Sequence, residues 1–105
     1  MIKNRGLKIV LDEEKVLREG KYKLEDLYKY LDEVALEAEL IRLDKNHYAC
    51  RGDKDDLNCL MDFTFEVVEK ENITRNVKQW YWFEGGKFES NIVEISKRDG
   101  IGVWQ

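Results

Sequence analysis

Apolar and polar positions along the chain divide it into short segments whose period changes from one to the next. A brief apolar stretch, Leu7 to Leu11, comes first. Asp12 can then cap a short helix through Asp12-Glu13-Glu14-Lys15, with Val16 and Leu17 as its small apolar face and Gly20 as its stop. The clearest helix follows: Leu24, Leu27, Tyr28, Leu31, Ala35 and Ala38 keep the three-and-four spacing of one helical face, with Glu25, Asp26, Lys29, Asp32 and Glu33 outside. From Leu40 to Cys50 the pattern shortens. Ile41 and Leu43 before Asp44-Lys45-Asn46, and Tyr48 and Cys50 after it, read as a hairpin.

Acidic residues at Asp53 to Asp55 suit the positive end of a helix dipole and mark the start of a second long helix. Its stripe is Leu57, Leu60, Met61, Thr64, Phe65 and Val68, widened by Cys59, Phe63 and Val67, as expected of a central helix. Val77 to Phe83 is an aromatic-rich strand, and Glu84-Gly85-Gly86-Lys87 supplies the turn after it. Residues 89–98 allow two readings, a returning strand or a short helix. A cap at Ser90, apolar positions at Ile92, Val93 and Ile95, and a stop at Gly100 favour the helix. Ile101-Gly102-Val103-Trp104 then reads as a closing strand. The expectation is one α+β domain over residues 1–105, with a small antiparallel sheet of about three to four strands packed against three to four helices. The chain has no proline to force a break inside an element, and no repeat.

Composition narrows the setting. An apolar fraction of 43% in 105 residues builds one core and no second, so no internal linker is expected. With 38% charged residues, no stretch is apolar enough to span a bilayer. The start, Met1 to Gly6, has basic residues without the apolar run of a signal peptide, which points to the cytoplasm. There Cys50 and Cys59 would remain thiols, and the Asn72-Ile73-Thr74 and Arg51-Gly52-Asp53 tripeptides would have no role.

Charge is distributed unevenly. Residues 1–31 carry eight Lys/Arg against six Asp/Glu, residues 32–71 carry five against twelve, and residues 72–105 carry five against four. An acidic middle would repel a phosphate backbone, so direct nucleic-acid binding is not expected; a basic surface on a partner would attract it.

Catalytic and metal chemistry find little to work with. His47, Cys50 and Cys59 permit a thiolate–imidazole pair on paper, but no orienting third group or oxyanion loop accompanies them. The same three lack the fourth ligand and the Cys-x-x-Cys spacing of a zinc site. Asp53, Asp55, Asp56 and Asp62 offer carboxylates without the calcium-loop pattern, and Gly85-Gly86 and Gly100-Ile101-Gly102 are not placed to cradle phosphate. No enzyme activity, metal or cofactor is therefore expected.

The aromatic strand has two readings. Alternation puts Trp80 and Trp82 on one face and Tyr81 and Phe83 on the other. Either the strand is central and both pairs help fill the core, or one pair, with Trp80 and Trp82 as candidates, stays exposed as a binding anchor. An uncovered pair would also favour a homodimer.

Several blocks carry a resemblance: Asn4-Arg5-Gly6-Leu7-Lys8-Ile9 running into Leu11 to Tyr22, then Asn76-Val77-Lys78-Gln79-Trp80, and the ending Gly100-Ile101-Gly102-Val103. Together they resemble small proteins of bacterial conjugative and other mobile elements, among which the anti-CRISPR inhibitors of type II CRISPR nucleases are found. The resemblance implies a protein that blocks a guide-RNA nuclease by binding the enzyme or interfering with its assembly. Such a nuclease presents positive channels for its heteroduplex and target. Candidate contact residues are then Asp32, Glu33 and Glu37 on the first long helix, Asp53, Asp55, Asp56, Asp62, Glu66 and Glu69 on or before the second, and Trp80 and Trp82 as anchors. An immunity protein or antitoxin neutralising a toxin nuclease would use the same acidic design, and a small thiol enzyme built on Cys50 or Cys59 with His47 is the third reading.

Overall fold

The structure is a computed structural model that describes residues 5–85 and 87–104, with residues 88 and 89 described through their backbone alone. The chain runs β1 (Arg5–Leu11), α1 (Glu13–Glu19), α2 (Leu24–Glu37), β2 (Ile41–Arg42), β3 (His47–Ala49), α3 (Asp56–Val68), α4 (Glu71–Thr74), β4 (Val77–Glu84), β5 (Lys87–Asn91) and α5 (Ile92–Asp99). The strands form one antiparallel sheet in the order β2-β3-β1-β4-β5, so the fold is α+β as the periodicities imply. No described helix is long and apolar enough to cross a membrane.

Strand alternation decides what the sheet buries. Leu7, Ile9 and Leu11 of β1 are buried, and their cross-strand neighbours Tyr48, Trp82, Trp80 and Val77 share that side. Lys8, Val10, Tyr81 and Phe83 occupy the other side, none of them buried. Val77 and Trp80 both point inward although strict alternation would oppose them. The pairing jumps from Val10↔Gln79 to Leu11↔Val77, leaving Lys78 as the extra residue of a bulge that restores the phase. Against this face pack Leu27, Leu31, Val34 and Ala35 of α2 and Leu60, Phe63, Val67 and Val68 of α3. Rings link the layers: Tyr48 lies 5.7 Å from Phe63, and Phe63 meets Trp80 edge-on at 6.0 Å.

Helix ends follow local chemistry. The Asp12 carboxylate accepts from the Lys15 amide at 3.2 Å, and Gly20 closes α1 in the left-handed region, as expected of both residues. Glu13, one residue on, accepts from Lys45 Nζ and from the Tyr28 hydroxyl, tying α1 to α2 and to the β2–β3 turn; Lys45 first and then Tyr28 hold its carboxyl below the usual range.

Three expectations need correction. Residues 87–91 do return as a strand, and α5 begins only after it; the cap is Asn91, whose side chain accepts from the Glu94 amide at 3.1 Å, and not Ser90. Ile101 to Trp104 is not a strand: the Ile101 amide donates to Ser96 O and the Trp104 indole donates to Ile101 O, so the segment folds back on the end of α5. The α+β architecture and the hairpin of β2 and β3 are as expected; the elements beyond the expected number are α4, four residues long and too short to show a period, and β5, which occupies the start of the segment read as helix. In the β4–β5 turn Gly85 has φ 58°, while Gly86 lies outside the described residues.

At Gly6 the close approach is steric. A Cβ there would fall inside contact distance of the Tyr48 carbonyl oxygen, which belongs to a paired strand and cannot retreat, and of the Phe83 ring. Gly6→Ala is therefore expected to destabilise the fold by about 1–3 kcal/mol through forced overpacking. A urea midpoint unchanged by Gly6→Ala would show that β1 and β3 can separate at no cost.

Candidate functional site

The core face of α2 and α3 determines what their outer faces present. Turning Leu60, Phe63 and Val67 inward leaves Asp62, Phe65, Glu66 and Glu69 on the outer side of α3, and turning Leu31, Val34 and Ala35 inward leaves Glu33, Leu36 and Glu37 outside on α2. The two helices run side by side in opposite senses: Tyr30 in α2 stacks under Lys70, just past α3, at 6.0 Å, while Glu39, past α2, reaches Arg51, just before α3, at 3.4 Å. Between them lies a groove of about 470 Å³ lined by Val34, Glu37, Asp62, Phe65, Glu66 and Glu69.

Four of its six lining residues are carboxylates, and none of the four has an ion-pair partner among the described residues. Phe65 rises beside them with 58% of its surface exposed. Their field registers on Tyr30, whose hydroxyl oxygen is buried without a hydrogen-bond partner. Burial first, then Glu66, Glu37 and Glu69, push its ionisation up to about 12.

The remaining candidate acids are placed elsewhere. Asp32 accepts from the Tyr48 hydroxyl and pairs with Arg42 Nε at 3.4 Å, tying α2 to β2 and β3. Asp53 pairs with Arg51 at 3.1 Å and accepts from the Asp55 amide. Asp55 precedes α3 without making a side-chain cap, and Glu33 is exposed on α2 outside the groove lining. Asp56 is a correction. It is 4% exposed, and its Oδ1 accepts from the amides of Gly52 and Asp53, both at 3.0 Å, so its carboxylate fastens the loop before α3 and presents nothing to a partner.

Trp80 is a second correction, because an indole at 0% exposure is a core residue and not an anchor. Trp82 is only partly buried. Its Nε1 donates to Thr64 Oγ1 at 3.1 Å, and its ring floors a separate groove of about 280 Å³ between α3 and α5, walled by Phe65, Val68, Ile92, Ile95 and Ile101. Phe65 thus stands between an acidic groove and an apolar one. Sequence reasoning placed Phe65 in the core stripe and assigned Ile101 to a strand; the signal for both was a phase choice on α3 and a helix stop at Gly100, each settled only by packing.

The structure does not pair His47 with Cys50. Continuing the strand alternation, His47 and Cys50 point to opposite faces, and His47 Nδ1 is engaged by Asp44 at 2.8 Å. Cys50 Sγ donates to Asp56 O at 3.6 Å; burial, helped by Asp56, pushes its ionisation up to about 12, and burial raises Cys59 as well. The described residues hold no group of three or more side chains placed to bind a metal ion.

Two outcomes follow. Asp56→Ala, which strands two loop amides, is expected to cost about 1–3 kcal/mol, whereas Asp62→Ala should stay within about 0.5 kcal/mol, a contrast that paired thermal melts will read. At pH 8 Cys50 of the folded protein should react with iodoacetamide at least about tenfold more slowly than in urea, since burial holds it as the thiol; fast labelling of native Cys50 would contradict this. No protein-family model, no curated protein and no solved structure matches this chain.

Proposed function

We propose that this chain is a stoichiometric inhibitor that binds a larger protein through its acidic helical face and acts by occlusion, without turnover. The observation that carries the reading is the gathering of Glu37, Asp62, Glu66 and Glu69 around one groove beside the exposed Phe65, with no ion pairs to neutralise them among the described residues. Uncompensated carboxylates on a rigid helical surface speed the encounter with a basic surface and suppress acidic partners, while an apolar residue at the centre slows dissociation. The resemblance to anti-CRISPR proteins supplies the target class: a type II CRISPR nuclease, whose positively charged nucleic-acid channels are the surface that such a groove would cover.

This reading differs from the earlier candidate surface in its anchors. Phe65 takes the place of Trp80, and Glu37, Asp62, Glu66 and Glu69 take the place of the wider acidic set. A single groove then presents charge and apolar surface together, which neither the loop acids nor the buried indole can do.

The test is binding of the purified chain to a type II nuclease carrying its guide RNA. Association should slow about ten- to a hundredfold for the double variant Glu66→Lys, Glu69→Lys. Raising the salt from about 0.05 to about 0.3 M should slow the unaltered chain in the same direction. Both substitutions lie on exposed positions, so the melting temperature should hold within a few degrees. An unaltered nuclease activity at stoichiometric excess would remove the nuclease as target, and charge-dependent binding to the product of a neighbouring gene would move the same mechanism to a toxin.

A further inference from the structure

The groove between α3 and α5 adds a requirement on whatever docks at the acidic surface. Its floor and walls are Phe65, Val68, Trp82, Ile92, Ile95 and Ile101, and the one indole donor on that floor is already committed to Thr64 Oγ1. At about 280 Å³ it lies below the usual range of small-molecule pockets and suits one or two apolar side chains. Uncompensated acid borders it on one flank, where Asp62, Glu66 and Glu69 lie beyond Phe65; Asp99, in its own lining, is paired with Arg98 at 3.6 Å.

The occupant follows from this combination. A second copy of the chain meeting the groove face to face would bring the same carboxylates against each other, and an isologous contact of like charges is disfavoured. A carboxylate-headed lipid would meet the same repulsion. A peptide that carries an apolar side chain next to Lys or Arg satisfies both surfaces at once.

We infer that the α3–α5 groove receives an apolar side chain from the same basic segment that the α2–α3 groove attracts, so that the bound segment crosses α3 over Phe65. The inference rests on the acidic-docking reading above and specifies its partner: a basic segment of a protein, with an apolar residue set off from its cations. The spacing is fixed by the helix it must cross. About 10 Å separates the two sides of a helix, and an extended chain advances about 3.3 Å per residue, so the apolar side chain stands roughly three residues from the basic ones.

The test uses the full chain, isotope-labelled for NMR, and two short synthetic peptides at low ionic strength. One carries two arginines followed three positions later by leucine; in the other the leucine is serine. The leucine peptide should shift the Trp82 indole N–H and the amides of Ile92, Ile95 and Ile101, and should bind about tenfold or more tighter than the serine peptide, as burial of one apolar side chain requires. Ile101→Asp, at a site 46% exposed, and Phe65→Ser, at one 58% exposed, should abolish that difference while the protein melts normally. If both peptides bind equally, with shifts confined to α2 and α3, the apolar groove has no part in docking and the inference falls while the acidic surface stands. If neither peptide shifts Glu66 or Glu69, the inference and the acidic-docking reading fall together.

Discussion

The contact on which the molecule depends is the Trp80 indole, fully buried and edge-on to Phe63 at 6.0 Å. Phe63 continues the chain of rings to Tyr48 of β3, and Trp80 continues it to Trp104 at 6.1 Å, so helix, two strands and tail meet in one aromatic line. Large aromatics supply a large share of the burial available to a core this small, and truncating such a residue typically costs about 3–5 kcal/mol. The inward commitment of Trp80 also fixes the faces of β4: Trp82 turns inward with it, and Tyr81 and Phe83 turn outward. A one-residue slip would reverse all four. The bulge at Lys78 lets Val77 share the buried face, at the cost of one unpaired position in the ladder.

Much of this is legible in the amino-acid sequence. The period of α2 and the polar caps and glycine stops at Asp12, Gly20 and Gly100 read correctly because local interactions alone produce them. Where two local answers were equally good, packing chose. Ser90 and Asn91 are both good cap residues and both pair with β4, Ser90 with Trp82 and Asn91 with Tyr81; the extra strand residue moves the helix start on by one, and Asn91 caps α5. On α3 the apolar residues form two overlapping stripes. Sheet contact selected the one containing Leu60, Phe63 and Val67, so Leu57 and Phe65, assigned inward by spacing alone, ended up exposed. The end of α2 carried no signal. Glu39 takes the left-handed conformation with φ 61°, a position that usually holds glycine, and its carboxylate meets Arg51.

The site was legible in charge but not in place. An excess of acid over residues 32–71 is visible in the chain, yet it does not separate Asp56, which fastens a loop, or Asp32, which joins Tyr48 and Arg42, from the four carboxylates that share a groove. Only the antiparallel packing of α2 on α3 brings Glu37 to Asp62, Glu66 and Glu69. This grouping opposes stability. Asp62, Glu66 and Glu69 follow one another at helical spacings of four and three, where each like-charged pair costs roughly 0.2–0.5 kcal/mol, and no described ion pair offsets it. A lysine at any of the three positions would suit an isolated domain better.

That cost has a mechanical counterpart. The four carboxylates stand on or at the end of helices whose opposite faces hold Leu31, Ala35, Leu60 and Phe63 in the core, so the groove cannot widen or relax its charges apart without disturbing the packing around Trp80. Repulsion within the groove is thus retained in the free protein; on the proposed reading a basic surface would relieve it, making docking and charge relief one event. On the same reading little ordering entropy would be lost on binding, because the backbone that carries these side chains is already set. Lys70 illustrates the constraint: next in the chain to Glu69, it lies over the Tyr30 ring at 6.0 Å and forms no described ion pair with a groove carboxylate, so the groove keeps its charge.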